Sequence, residues 1–221
     1  MPDKIEQNII LPFNDEEEKL YVANLAEANK ELQELYDLEG SDKMQILKLL
    51  TRLRQLCLEP RLVYDNIDQP SSKLKACMEL IKTMQENKQK VLLFSSFTSV
   101  LDLIAEECQK AGITYYMLTG STNKEDRREL VSRFQKDDTT VFLISLKAGG
   151  TGLNLTSAEA VIHFDPWWNV SAQNQATDRA YRIGQKNNVQ VFNLVMKDSV
   201  EEKIIELQKR KKELADMFVE N

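Results

Sequence analysis

The chain has 221 residues, of which 42% are hydrophobic, 29% charged and 7% aromatic, with 7 Gly and 5 Pro. This composition can build a packed core and excludes a collagenous, Pro-rich or wholly disordered protein. Net charge is −6, but residues 1–62 hold 8 Lys or Arg against 13 Asp or Glu while the remainder holds 21 against 22. The sum therefore does not exclude a local basic groove for a phosphate-bearing partner. No run approaches the roughly 18 apolar residues a membrane span needs, and MPDKIEQ is no secretory leader. Cys57, Cys77 and Cys108 are far apart, and His163 is the single histidine. Neither a disulfide framework nor a zinc site follows, so a soluble intracellular protein with no metal site of its own is expected.

Residues 1–63 read as a helical hairpin. After a short apolar stretch from Ile9 to Phe13, Asn14 can cap a helix whose first turn, Asp15 to Glu18, places acids at the positive end of the helix dipole. Gly40-Ser41-Asp42 breaks it, and a second helix with Met44, Leu47, Leu50, Leu53 and Leu56 on one face must stop near Pro60. The basic pair Arg52 and Arg54 reads as a solvated face rather than a functional one. Residues 64–72 read as a linker. Residues 73–198 alternate helix and strand, with strands at Val91–Phe94, Ile113–Leu118, Val141–Ser145, Ala160–Phe164 and Val189–Val195. Runs such as VLLF and VFLI are continuously apolar, as strands of a parallel sheet covered on both faces must be. The expected fold is α/β, a doubly wound parallel sheet whose functional loops lie at the C-terminal strand ends. Residues 199–221 form a final helix, opened by a capping box of Ser199 and Glu202. Its Lys209 to Lys212 run reads as a wet face more readily than as a DNA contact.

Two strand ends and the helix after the second carry candidate chemistry. After Val141–Ser145 comes LKAGGTGLNL, where glycines let the backbone approach a ligand and turn N–H groups toward an anion. Lys147 and Thr151 add a cation and a hydroxyl. Gly-Gly-Thr-Gly is weak evidence alone, and no segment matches the phosphate-cradling Walker A pattern. After Ala160–Phe164 comes Asp165-Pro166-Trp167-Trp168-Asn169. A magnesium-ligand reading of Asp165 is poor without a Walker A loop. Both tryptophans of the chain lie here, and at least one is expected to be exposed, suited to packing on nucleic acid. Asn169 then caps a helix ended by Gly184, on which Gln175, Arg179 and Arg182 at i, i+4 and i+7 share a face. Two arginines so placed can grip an anion through their planar forks. Pairing of Arg182 with Asp178 fits the spacing equally well.

In order and spacing, SLKAGGTGLNL, FDPWWN and QATDRAYRIGQ closely resemble motifs V, Va and VI of the Swi/Snf-type DNA-dependent ATPases of helicase superfamily two. VLLFSSFTSVLDLI resembles their motif IV. YYMLTGSTNKEDRRELVSRF and LRQLCLEP resemble further family elements, so the likeness covers about residues 50–210. The resemblance implies the second RecA-like lobe alone, preceded by a helical protrusion and followed by a brace helix. The Walker A loop would lie on a first lobe absent from this chain, with Met1 as a cloning start. It implies that Arg179 and Arg182 reach across a cleft to ATP, oriented by Gln175 and Asp178. It further implies that Gly150, Thr151 and Gly152 line that cleft. Ser95, Ser96, Thr119, Gly120, Lys147 and Trp167 or Trp168 would contact duplex DNA. ATP and Mg2+ are the implied cofactors, held mainly by the first lobe, and a protein–DNA complex is the implied substrate. The compartment would be nucleoid or cytoplasm in a bacterium and nucleus in a eukaryote. Three residues depart from the family pattern: Val170 for proline, Tyr181 for histidine and Glu59 for histidine. The competing readings are a catalytically silent DNA- or protein-binding module, an RNA helicase disfavoured by the tryptophan loop, and a Rossmann enzyme disfavoured by the lack of Gly-x-Gly-x-x-Gly.

Overall fold

The computed structural model describes residues 1–37, 43–149 and 152–219. The strands are β1 (Lys4–Leu11), β2 (Val91–Ser95), β3 (Tyr115–Leu118), β4 (Val141–Ser145), β5 (Ala160–His163) and β6 (Val189–Met196). The helices are α1 (Asp15–Asp37), α2 (Lys43–Leu58), α3 (Ser72–Glu86), α4 (Thr98–Lys110), α5 (Lys124–Lys136), α6 (Leu146–Gly149), α7 (Val170–Thr177) and α8 (Val200–Val219). Together the strands form one 6-stranded parallel sheet in the order β1-β6-β5-β2-β4-β3.

The alternation of side chains along each strand decides what covers which face. Val91, Leu93, Val141, Leu143 and Ile162 pack with α3, α4 and the inner stripe of α2. Leu92, Phe94, Phe142, Ile144 and Val161 pack with Phe134 of α5, Leu146 of α6 and Ala176 of α7. The connection leaving β2 therefore lies on one face, while those leaving its neighbours β4 and β5 lie on the other. In an open parallel sheet such reversals open crevices at the C-terminal strand ends. Here they flank β2 on both sides.

The five expected strands are present. A sixth, β1, falls in the stretch expected to lead only into the hairpin, and pairs with β6 from Lys4 opposite Val189 to Leu11 opposite Met196. Its mixed sequence, KIEQNIIL, is exposed over most of its length, which suits an edge strand protected by charge. The first segment is thus part sheet edge and part hairpin.

Polar pins join hairpin, sheet and last helix. Asn14 and Glu17 form a reciprocal cap, Asn14 N donating to Glu17 Oε1 (3.1 Å) and Glu17 N to Asn14 Oδ1 (2.8 Å). Glu17 also accepts from the Ser72 N–H and hydroxyl at the start of α3. Lys73, fully buried, donates to both oxygens of buried Glu201 at 2.7 and 2.8 Å and to the carbonyls of Phe164 and Leu194. This fixes α8 to two strand ends. The cap of α8 differs from the expected box. Glu202 accepts from Asp198 N rather than Ser199 N, while the Ser199 hydroxyl accepts from Glu201 N and donates to the Met196 carbonyl. The lower half of the final stripe, at Leu214 and Phe218, lies outside the described side chains. Cys57, Cys77 and Cys108 are buried free thiols whose ionisation burial suppresses.

Candidate functional site

The β2 and β5 ends meet at Asp165, 1% exposed. Its carboxylate accepts from the Ser95 hydroxyl (2.6 Å), the Ser96 N–H (3.2 Å), the Ser96 hydroxyl and Arg54 Nη2 (3.3 Å). Every lone-pair direction is committed, so this acid is the anchor of two loops and not a magnesium ligand. Ser95 is fully buried and its hydroxyl donates here. Among the described residues no cluster of His, Cys, Asp and Glu could hold a metal ion, and no helix is long and apolar enough to cross a membrane.

Next to this anchor, a groove of about 610 Å³ runs along the ends of β2, β3 and β4. Ser96, Thr119, Gly120, Lys147 and Trp167 all line it. Thr119 N donates to Thr122 Oγ1 (3.1 Å), and the hydroxyls of Thr119 and Ser121 lie 2.8 Å apart. Exposed hydroxyls and backbone, one ammonium and one aromatic wall are the donors that phosphate and sugar contacts use. Trp168 diverges from its neighbour. It lines a second groove of about 830 Å³ with Lys209, Lys211 and Lys212 of α8. The loop between is held by Gln173, which accepts from Trp167 N (3.1 Å), and by Gln208, which donates to the Trp167 carbonyl.

The Lys147 loop also borders the arginines. Leu146 to Gly149 form a helical turn, and a side chain on Gly149 would sit 3.0 Å from the Phe94 ring. Gly152 has φ +51°, in the left-handed region that favours glycine. Gly150 and Thr151 lie outside the described residues. Around this loop, Arg127 donates to the Ala148 carbonyl, Arg179 Nε to Gly149 O (3.1 Å) and Arg182 Nη1 to Leu153 O (3.3 Å).

The shared helical face does not survive. α7 stops at Thr177, and Arg179 N and Ala180 N donate to carbonyls three residues back, so the chain tightens before either arginine. The arginines converge through their carbonyl partners instead, and Arg182 bonds Leu153 rather than Asp178. Gln175 is exposed on α7, and Asp178 acts on Arg179 only through its charge. Burial lowers the Arg179 pKa first, the Arg182 and Arg127 cations lower it further, and Asp178 opposes them.

The helicase conserved C-terminal domain matches residues 72–184, just over half of the chain. The chain belongs to that family. Its relatives are Swi/Snf-type: an uncharacterized ATP-dependent helicase of Mycoplasma pneumoniae is 39% identical over 97% of this chain and 20% of its own length. The SWI/SNF-related matrix-associated actin-dependent regulator of chromatin subfamily A member 1 of Mus musculus is 35% identical over 93% and 21%. The chain thus spans about a fifth of the length of these relatives. The Sulfolobus solfataricus SWI2/SNF2 ATPase core in complex with dsDNA superposes with TM-score 0.81 and 33% identity, over 96% of this chain and 45% of that one. The C-terminal part of the Fun30 ATPase domain gives 0.81 and 28%, over 93% and 89%. The fold is therefore the RecA-like C-terminal lobe of a Swi/Snf-type helicase.

Within this helicase lobe the departures have visible work. Tyr181 donates to the Pro2 carbonyl (3.0 Å) and lies under Lys4, tying β1 down. Glu59 is fully buried and accepts from Arg61 and from Ser71 N (2.9 Å), closing the hairpin onto α3. Val170 opens α7 behind the Asn169 cap. Two arginines that contact this edge are not singled out by the sequence. Arg127 sat unremarked in the α5 run, and Arg54 was assigned to solvent although it is the cation on Asp165.

Proposed function

We propose that this lobe is the second half of an ATP-driven duplex-DNA translocase. One observation carries the reading: Leu146 and Lys147 border the groove, while Gly149 and Leu153, a few residues on, receive the arginines. Nucleotide state on one side and DNA contact on the other would then be linked through one short segment. Arg179 and Arg182 are bonded to carbonyls, which leaves their charge unneutralised and free to meet the γ-phosphate of ATP held on a first lobe. Arginines so used raise phosphoryl-transfer rates roughly 10³- to 10⁵-fold. Mg2+ would arrive with that nucleotide, and Gly150, Thr151 and Gly152 would line the same cleft. Ser96, Thr119, Gly120, Lys147 and Trp167 would take one DNA strand, with Trp168 beside the lysines of α8. The named Sulfolobus complex supports DNA as the ligand of this edge.

Residues 12–63, then, act as the protrusion, 73–198 with β1 as the lobe, and 199–221 as the brace. A protein–DNA complex in the nucleoid or nucleus is the substrate class. The test compares full-length protein with the 221-residue chain. Duplex DNA should stimulate ATP hydrolysis by the former, and the latter should hydrolyse none. Turnover by the isolated chain would overturn the assignment. A full-length protein that binds DNA but never hydrolyses ATP would instead be a silent binding module.

A further inference from the structure

α2 carries two arginines two residues apart, which places them on different sides of the helix. Arg52 stays with the hairpin: its Nε donates to Asn24 Oδ1 (2.8 Å), and its guanidinium lies 5.7 Å from the Tyr64 ring centre. Arg54 leaves it. Its Nη2 donates to the Ser96 hydroxyl (2.9 Å) and to Asp165 Oδ2 (3.3 Å). Its guanidinium carbon stands 4.9 Å from the Phe97 ring centre and 6.0 Å from that of Trp168. The side chain is only 11% exposed. One planar cation thus touches the loop after β2 and the loop after β5 together, and both loops face the groove.

We propose that Arg54 is a positioning residue for duplex engagement, holding Ser96 and the tryptophan loop in the geometry the DNA groove needs. The inference rests on the duplex-DNA reading of that groove. A guanidinium can stack on two rings while its edge bonds a carboxylate, which an ammonium on a flexible stem cannot do. Without it, Asp165 keeps a buried charge balanced only by hydroxyls and one N–H. Trp168 also loses the surface that fixes it. The hairpin and the groove are then no longer registered to each other.

Both tryptophans of the chain lie in this loop, so intrinsic emission reports its position directly. C-terminal lobes of relatives have been solved as separate molecules, so the 221-residue chain is a suitable sample. Arg54→Met should shift emission to longer wavelength and raise collisional quenching. In full-length protein it should raise the duplex concentration for half-maximal ATP hydrolysis about tenfold, the scale of one charge-assisted contact. Arg54→Lys, which keeps the charge opposite Asp165, should fall between wild type and Arg54→Met, and is read in its place if the methionine variant does not fold. Arg52→Met should match wild type in both measurements. Wild-type emission and quenching in both Arg54 variants, or shifted emission with wild-type half-saturation, would overturn the proposal. Loss of duplex dependence in wild type itself would instead defeat the motor reading, and the emission arm would still judge Arg54.

Discussion

Two clusters of positive charge sit on the same sheet edge, and their partners differ in kind. Arg54 meets a buried carboxylate, so its charge is cancelled and its place is fixed. Arg127, Arg179 and Arg182 meet backbone carbonyls, which accept hydrogen bonds but cancel no charge. The Arg179 pKa is pressed downward in part by the other two cations, an unfavourable gathering that an incoming anion would relieve. Arg54 holds two loops together, and on the function proposed above the other three await a ligand. The charge of the partner tells them apart.

Removing a waiting cation should have the largest effect. Arg182→Ala in full-length protein is expected to lower kcat by about 10³-fold with a melting temperature close to wild type, since Arg182 is exposed and gives up one long hydrogen bond of 3.3 Å. A large loss of stability would place Arg182 with the structural cluster instead. Asp165→Asn reverses the pattern: unfolding free energy should drop by about 2–3 kcal/mol, because it removes one member of a buried ion pair. Chemical denaturation measures this directly, and an unchanged midpoint would break the contrast.

His163, at the end of β5, is fully buried, stacked on Phe94 and bonded through Nε2 to Thr177 Oγ1 (2.9 Å). Burial lowers its pKa to about 3. The unfolded chain binds a proton below about pH 6.5 while the folded chain stays neutral, so this group's stability contribution is full above pH 6.5 and lost on acidification. The expected loss is about 1.4 kcal/mol per pH unit down toward the folded value. His163→Gln should flatten that slope between pH 6.5 and 5, and an equal slope in the variant would assign the acid sensitivity elsewhere. The smallest effect belongs to Lys147→Ala, an exposed groove cation. It should weaken duplex binding by a few-fold and reduce the salt dependence by about one phosphate contact. An unaltered salt slope would remove Lys147 from the interface.

The sheet was legible because β2, β4 and β5 are short, continuously apolar runs between helical patterns, a signature that buried parallel strands cannot avoid. β1 was not, since an edge strand needs no such run and KIEQNIIL matches a loop equally well. At the site, the groove residues were readable from loops at strand ends, and five of them meet in one surface. The burial of Ser95 was not readable, because the last strand residue turns toward Asp165. Arg54 failed for a different reason: its partner lies 111 residues away, beyond any local pattern. The end of α7 escaped because Thr177 is drawn to His163, a tertiary contact that periodicity does not encode.

A duplex titration of ATP hydrolysis by the full-length protein tests whether DNA binding and action on ATP are separate on this edge. Arg182→Ala should collapse the plateau rate while leaving the half-saturating DNA concentration within about twofold of wild type, if residual turnover permits its reading or by direct duplex binding otherwise. Lys147→Ala should raise that concentration and keep the plateau. Two variants that both lower the plateau, or both weaken DNA, would contradict the division of this edge into a groove that binds and arginines that act on ATP.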